Sequence, residues 1–271
     1  MKPNKVETFS RYQEIVKQYG GKECMSNDYI QWEVEDLVVH NALYECCGEK
    51  NAFILVKKDE FWRLYYYLND PSEILYLDEE MVTEILFRGS KGEPSNIVDY
   101  LEQCGFVRNI VRDQYFAKYV SLSQSSIIPG LRIDEVSTLE DAEWAINLFN
   151  KSFDKWSGDY IPISQAFFLL QDKAILIAKD MNDEKLGALH LEKKLGVTYL
   201  NHVVVLENIR GRGVGLGLVD AFIEKGHTDE SSRYMLWVQR QNAQAVNLYK
   251  KKGFVYMNKS TLSMIKHKIE E

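Results

Sequence analysis

The chain has 271 residues, 45% of them apolar and 27% charged, with a formal net charge of -7; this is the balance of a globular domain and excludes fibrous or low-complexity architectures. Neither half carries the basic excess of a nucleic-acid binder: residues 1–120 hold 21 acidic and 14 basic side chains, and residues 121–271 hold 19 of each. No apolar run approaches the roughly 20 residues of a membrane span, and Met1–Ser10 has no apolar signal-peptide core, so no membrane partner and a cytoplasmic location are expected.

In chain order, Phe9, Tyr12, Ile15, Val16 and Tyr19 recur at three- and four-residue steps and predict a helix over Lys5–Gly20. Phe53–Val56, Phe61–Leu68, Ile74–Leu77 and Glu84–Phe87 are rich in aromatic and branched residues and predict strands. A helix over Ser95–Gln103 ends at Gly105, and Val107–Tyr119 returns as a strand. The serine-rich stretch Ser121–Gly130, with Pro129, predicts a linker and a division into residues 1–125 and 126–271. Beyond it, Glu140–Phe149 is an amphipathic helix, and Phe167–Leu170 and Ala174–Ala178 are expected to be extended. Strands over Lys185–Leu191 and Val197–Leu206 turn at Gly196. A helix (Leu216–Gly226), a strand (Tyr234–Val238), a helix (Ala243–Lys252) and a last strand (Val255–Met264) complete the chain. Strands alternating with helices in this order predict an α/β protein with a mixed β-sheet flanked by helices.

The four cysteines, Cys24, Cys46, Cys47 and Cys104, match no zinc or redox spacing and are expected to be reduced thiols. No histidines are spaced as a ligand set, so no metal is expected. One internal echo joins the halves: the segment from Tyr100 to Val107 lines up with that from Leu248 to Val255, each a helix end, a glycine, a phenylalanine and a strand start. Its equivalent placement suggests a degenerate tandem repeat.

The most informative stretch runs from Tyr199 to Glu224. A strand feeds into Arg210-Gly211-Arg212-Gly213-Val214-Gly215-Leu216-Gly217, and a helix follows. Glycines there bring the backbone close to whatever sits above the helix start, whose unpaired N–H groups suit a phosphate or pyrophosphate. Arg210 and Arg212 add charge. The dinucleotide fingerprint fails, because position 216 is leucine, and no glycine-lysine-serine or -threonine run follows.

Residues 131–267 resemble the Gcn5-related N-acetyltransferase family. Its signature is met by Arg210, Gly213 and Gly215, with the apolar pair Val203 and Val205 on the preceding strand and Asn242, Ala245, Tyr249, Gly253 and Phe254 in the following strand-helix unit; Gly187 matches an earlier glycine. The resemblance implies an acyl-CoA N-acyltransferase fold and acetyl-CoA as acyl donor. The backbone N–H groups of Arg212 to Gly217 would cradle the pyrophosphate, the strand Val203-Val204-Val205 would bind the pantetheine arm, Asn242 would support the cleft and Tyr249 would protonate the leaving thiolate. The implied reaction is acetylation of a primary amine of a small molecule or peptide by direct attack in a ternary complex. Transfer of another acyl group, or a non-catalytic acyl-CoA-binding regulator, are the alternatives.

The attacking amine must lose a proton, since an ordinary lysine-type amine has a pKa near 10.4. The family's usual base positions fall on Tyr199 and Asn201, which cannot serve. His202 is adjacent, though strand alternation puts it on the opposite face unless a bulge intervenes. His202, Glu192, Glu207 and a water chain stay open as acceptors. In the first half the tyrosine slot is Leu101 and no glycine-rich anion loop occurs, so that half is expected to bind no acetyl-CoA. Phe61, Trp62, Tyr65, Tyr66, Tyr67 and Tyr76 are read either as sheet core or as part of a substrate or protein contact. Trp144, Phe149, Phe153 and Trp156 are expected to line the acceptor site, with Asp154 and Asp159 nearby. A monomer or weak homodimer is expected.

Overall fold

The computed structural model describes residues 1–58, 60–118, 129–157 and 160–268. In chain order the first elements are β1 (Asn4–Lys5), α1 (Phe9–Tyr19), β2 (Met25–Ser26), α2 (Val34–Val39), β3 (Leu43–Cys47), β4 (Ala52–Lys57), β5 (Trp62–Leu68), β6 (Met81–Phe87), α3 (Ser95–Gln103) and β7 (Val107–Ala117). They are followed by β8 (Arg132–Glu135), α4 (Leu139–Ser152), α5 (Ala166–Gln171), β9 (Ile175–Lys179), β10 (Lys185–Lys194), β11 (Val197–Val205), α6 (Val214–Thr228), β12 (Arg233–Gln239), α7 (Ala243–Lys251) and β13 (Val255–Lys266). The linker expected at Ser121–Gly130, and with it the boundary at 125/126, lies outside the described residues except for Pro129 and Gly130.

The chain forms two compact units. One comprises Met1–Val111 with Lys259–Glu271, the other Arg112–Asn258. In the first, β1, β3, β4 and β5 pair antiparallel in that order, and β6 is bordered by Ser260–Lys266 of β13. Strand alternation sends Ile54, Val56, Tyr65 and Tyr67 into a layer with Tyr12, Ile15 and Tyr19 of α1, and Phe53, Leu55, Leu64 and Tyr66 into a layer with Val98 and Leu101 of α3. Both faces are covered, which is why Ala52–Val56 of β4 and Leu64–Leu68 of β5 read as unbroken apolar runs. Tyr65, Tyr66 and Tyr67 are buried, while Tyr76 is exposed.

The second unit repeats the plan. β8, β9, β10 and β11 pair antiparallel, β11 runs parallel to β12, and β12 is bordered by Arg112–Ala117 of β7. One sheet face packs on α4 and α5 through Phe149, Ile175, Ile177, Ala188 and Val204; the other packs on α6 and α7 through Leu189, Leu191, Leu200, Leu218, Phe222 and Tyr249. The mixed α/β architecture read from the sequence is present in each unit.

Three local expectations are corrected. Ile74–Leu77 is not a strand: Leu75 and Leu77 are buried and Ile74 and Tyr76 exposed, so the alternation is real, but the segment has no ladder partner. Phe167–Leu170 is helical, in α5, which continues a turn begun after Pro162; a short apolar run does not by itself separate strand from helix. The first helix starts at Phe9, not Lys5, because the Thr8 hydroxyl accepts the Arg11 N–H at 3.1 Å and caps it.

Candidate active site

The parallel pairing of β11 with β12 covers only Val197 to Leu200 against Arg233 to Leu236. Beyond Leu200 the two strands no longer pair with each other, although β11 continues to Val205 against β10 and β12 to Gln239 against β7, and the sheet of this unit opens. Two cavities occupy the opening, of about 580 and 370 Å³. Val203, Asn242, Ala245 and Tyr249 line both.

The smaller cavity lies under the glycine-rich loop. Gly211 and Gly213 have φ of 82° and 87°, a left-handed backbone that glycine adopts without cost, and Gly213 is the N-cap of α6. The loop thereby turns from strand to helix in a few residues and leaves the N–H groups of Val214, Gly215 and Leu216 outside the intrahelical ladder. The Gly217 N–H is different: it is bonded to the Gly213 carbonyl at 3.0 Å and closes the first helical turn. Of the residues expected to hold a cofactor, Val203, Val205, Arg210, Gly211, Gly213, Val214, Gly215, Leu216, Asn242 and Tyr249 line this cavity. Arg212 and Gly217 do not, and the Val204 side chain packs on the opposite face in the α4 layer. Arg210 donates from Nε to the Val205 carbonyl at 3.4 Å.

Close approach at Gly187 sets the depth of this arrangement. A Cβ there would stand 2.5 Å from the Val204 carbonyl oxygen, so only glycine lets β10 meet β11 at this point. On the far side, the Asn242 side chain accepts the Ala245 N–H at 3.1 Å and caps α7, which carries Tyr249. Lys252, after α7, is ion-paired with Asp220 of α6, both largely buried, tying the tyrosine helix to the loop helix. Tyr249 is 3% exposed; burial raises its pKa and keeps the phenol protonated at neutral pH.

The larger cavity holds both histidines of the β10–β11 ladder. The register runs Leu189↔Val203 and His190↔His202, then Leu191↔Leu200, leaving Asn201 as an extra residue. This bulge reverses the alternation: Leu200 and Val203 share the α6 face, and His202 turns to the α4 face, where Phe149 lies over its ring at 5.2 Å and Phe153 meets it edge-on at 5.0 Å. The two histidine Nδ1 atoms are 3.0 Å apart. His190 was not singled out by the sequence; its only signal is its register opposite His202. Phe153, Tyr160, Ile161, Asn201 and Trp237 complete much of the wall. Trp144 and Trp156 do not line it, and their rings receive Lys185 and Lys155 instead. Asp154 caps a local turn at the Trp156 N–H, and Asp159 lies outside the described residues. Glu192 and Glu207 are exposed and line neither cavity.

The first unit has the same opening and fills it. Its parallel pair, β5 and β6, is registered only at Trp62↔Met81 and Arg63↔Val82. Into the gap β2 pairs with Leu68 and Tyr67. Next, Asn27 accepts the Tyr66 N–H at 2.8 Å and donates to the Glu84 carbonyl at 2.8 Å and to Thr83 at 3.0 Å. The connection from β5 to β6 contains no helix, where the second unit has α6. Among the described residues, no group of three or more His, Cys, Asp or Glu could hold a metal ion, and no helix is long and apolar enough to cross a membrane.

The second unit thus combines an opened sheet with a glycine loop at the start of a helix. Residues 137–254 match the model of the Acetyltransferase (GNAT) family, and that stretch is a GNAT-family domain. Among solved structures the chain resembles a GCN5-related N-acetyltransferase from Sphaerobacter thermophilus (13% identity, 80% of this chain and 76% of that one, TM-score 0.57). It also resembles a tandem GNAT protein from the clavulanic acid biosynthesis pathway (13% identity, 85% and 84%, TM-score 0.58). A third is a GNAT-family acetyltransferase from Colwellia psychrerythraea (12% identity, 99% and 100%, TM-score 0.53). At these identities the likeness is one of fold. Comparison with curated proteins by sequence finds no match.

Proposed function

We propose that the protein is an N-acetyltransferase that moves the acetyl group of acetyl-CoA to a primary amine of a small molecule or peptide by direct attack in a ternary complex. The observation that carries this reading is the position of Tyr249, at the junction of the two cavities. The smaller cavity offers unbonded N–H groups suited to the donor's phosphates, and the open edge of β11 from Asn201 to Val205 suits its amide-bearing arm. The acceptor amine enters the larger cavity.

In this reading the N–H groups of Gly213 to Leu216, with the Arg210 side chain, hold the pyrophosphate. The β11 edge at Val203–Val205 aligns the arm and supplies an N–H to the developing oxyanion. Asn242 fixes the start of α7, and Tyr249 delivers its proton to the departing thiolate. His202 receives the proton of the amine. The catalytic unit is Arg112–Asn258, and the other unit, Met1–Val111 with Lys259–Glu271, is a degenerate second domain without a donor loop.

The test is turnover of acetyl-CoA against a panel of small-molecule and peptide amines, with release of free thiol as readout. Amine-dependent release by wild type that collapses in Tyr249→Phe, with donor binding intact, supports the enzyme. Donor binding with no acetylation of any amine overturns it.

A further inference from the structure

We propose that Asp113 and Arg240 form a positioning pair that fixes the β12 side of the opened sheet and, through the start of α7, the place of Tyr249. This rests on the acyl-transfer reading above and adds to it two residues outside the lining of both cavities.

The β12 side of the opening hangs on β7. Past Leu236 the pairing of β12 with β11 ends, and the strand goes on against β7 at Trp237↔Gln114, Val238↔Asp113 and Gln239↔Arg112. Trp237, Val238, Gln239 and Arg112 all line the larger cavity, so these rungs form part of its wall. The ladder ends at Gln239↔Arg112. One residue later a side-chain contact takes over: Arg240 donates from Nε to both Asp113 carboxylate oxygens, at 3.3 and 3.1 Å, and from Nη2 to Oδ1 at 2.8 Å. A planar guanidinium held through two nitrogens fixes direction as well as distance, so the pair fastens the chain where the ladder stops.

Strand alternation aims Asp113 for this task. Its cross-strand partner Val238 packs in the α6 and α7 layer, as do Tyr115 and Ala117 further along β7, so the carboxylate stands on the face that α7 covers. Arg240 lies just ahead of the N-terminus of α7, whose first turn carries no acidic residue. A cation at that end of a helix is unfavourable, and the buried Asp113 carboxylate offsets it.

The consequence runs down α7. The Asn242 N–H donates to the Gln239 carbonyl at 2.9 Å and closes the turn after β12. Asn242 then caps the helix, and Tyr249 follows about two turns on. At the other end Lys252 is paired with Asp220 of α6. The tyrosine helix is thus pinned at both ends, to β7 and to the helix that the glycine loop begins. A shift at the start of α7 moves Tyr249 against the thioester, and a displacement of about 1 Å at a reacting group costs up to about 100-fold in rate.

The experiment joins kinetics with amide hydrogen exchange on the full chain. Asp113→Asn and Arg240→Gln each remove one charge. Each is expected to lower kcat for amine acetylation by about 10- to 100-fold, with the calorimetric affinity for acetyl-CoA within a few-fold of wild type because the phosphate loop is untouched. The double variant is expected to be no slower than the slower single, the mark of two residues acting as one. Exchange is expected to speed up in the first turn of α7 and to stay unchanged in α6. Arg240→Lys, which keeps the charge and loses the fork, is expected to recover part of the rate. Single effects that add in the double variant, or an Arg240→Gln protein with the kcat and α7 exchange of wild type, overturn the pair and leave the acyl-transfer reading intact. Exchange that rises equally in α6 and α7 marks a general loss of stability and overturns the pair as well. Wild-type protein that acetylates no amine overturns the acyl-transfer reading, and exchange at α7 then decides the pair by itself.

Discussion

Tyr249 and Leu101 hold the same place in the two units. The carbonyl of each accepts the N–H of the phenylalanine five residues on, Phe254 at 3.0 Å and Phe106 at 2.9 Å, across a glycine of positive φ. Leu101 is fully buried in the first unit's core, whereas Tyr249 reaches both cavities of the second. Tyr249→Phe keeps the ring and its packing and removes only the hydroxyl. It is expected to lower kcat by about 10²- to 10⁴-fold while calorimetry finds acetyl-CoA binding within a few-fold of wild type.

Calorimetric titration of wild type is expected to find one acetyl-CoA site per chain. The first unit's opening is bridged by Asn27 between Tyr66 and Glu84 and lacks a helix between β5 and β6. Gly213→Glu puts a carboxylate at the start of α6, on a backbone with φ of 87°, and is expected to weaken binding by at least about 100-fold through strain and like-charge repulsion. Two sites per chain would contradict the reading of the first unit.

Gly187→Val is expected to lower stability by about 1–3 kcal/mol, because the new Cβ meets backbone that cannot rotate away. Thermal melts should show a lower Tm. A melt identical to wild type would mean that β10 and β11 can separate locally at little cost.

Stability is also expected to depend on pH through His190. Its folded-state pKa, about 4, lies below the ordinary 6.5, so between these values the unfolded chain binds the extra proton. Stability from this group is complete above pH 6.5 and falls as the pH drops to 4, by about 3 kcal/mol in all. Denaturant melts from pH 8 to pH 4 should show this slope, and His190→Asn should flatten it.

A chain cut to residues 126–271 lacks Arg112–Ala117, the strand that pairs with Tyr234–Gln239 of β12. It is expected to be insoluble or to melt without a cooperative transition, since β12 becomes an unpaired edge beside Trp237. A chain of residues 112–258 keeps that partner and is expected to give a cooperative melt by circular dichroism.

Much of the second unit was legible in the sequence. The glycine run over 211–217 announces a tight strand-to-helix turn, because the backbone itself demands positive φ at Gly211 and Gly213. The apolar periodicity of Glu140–Phe149 and the capping Asn242 likewise act through neighbours a few residues away. What the tertiary structure decided was everything that depends on a neighbour distant in sequence. The bulge at Asn201 is a property of the β10–β11 ladder, so the face taken by His202, and its meeting with His190, could not be read from β11 alone. The plug at Met25–Asn27 is invisible for the same reason, since asparagine becomes a bridge only where two strands have already parted. The sequence by itself determined the local backbone, which depends on each residue's steric freedom; the pairing of strands decided which side chains share a cavity, because register is set by contacts that no short window contains.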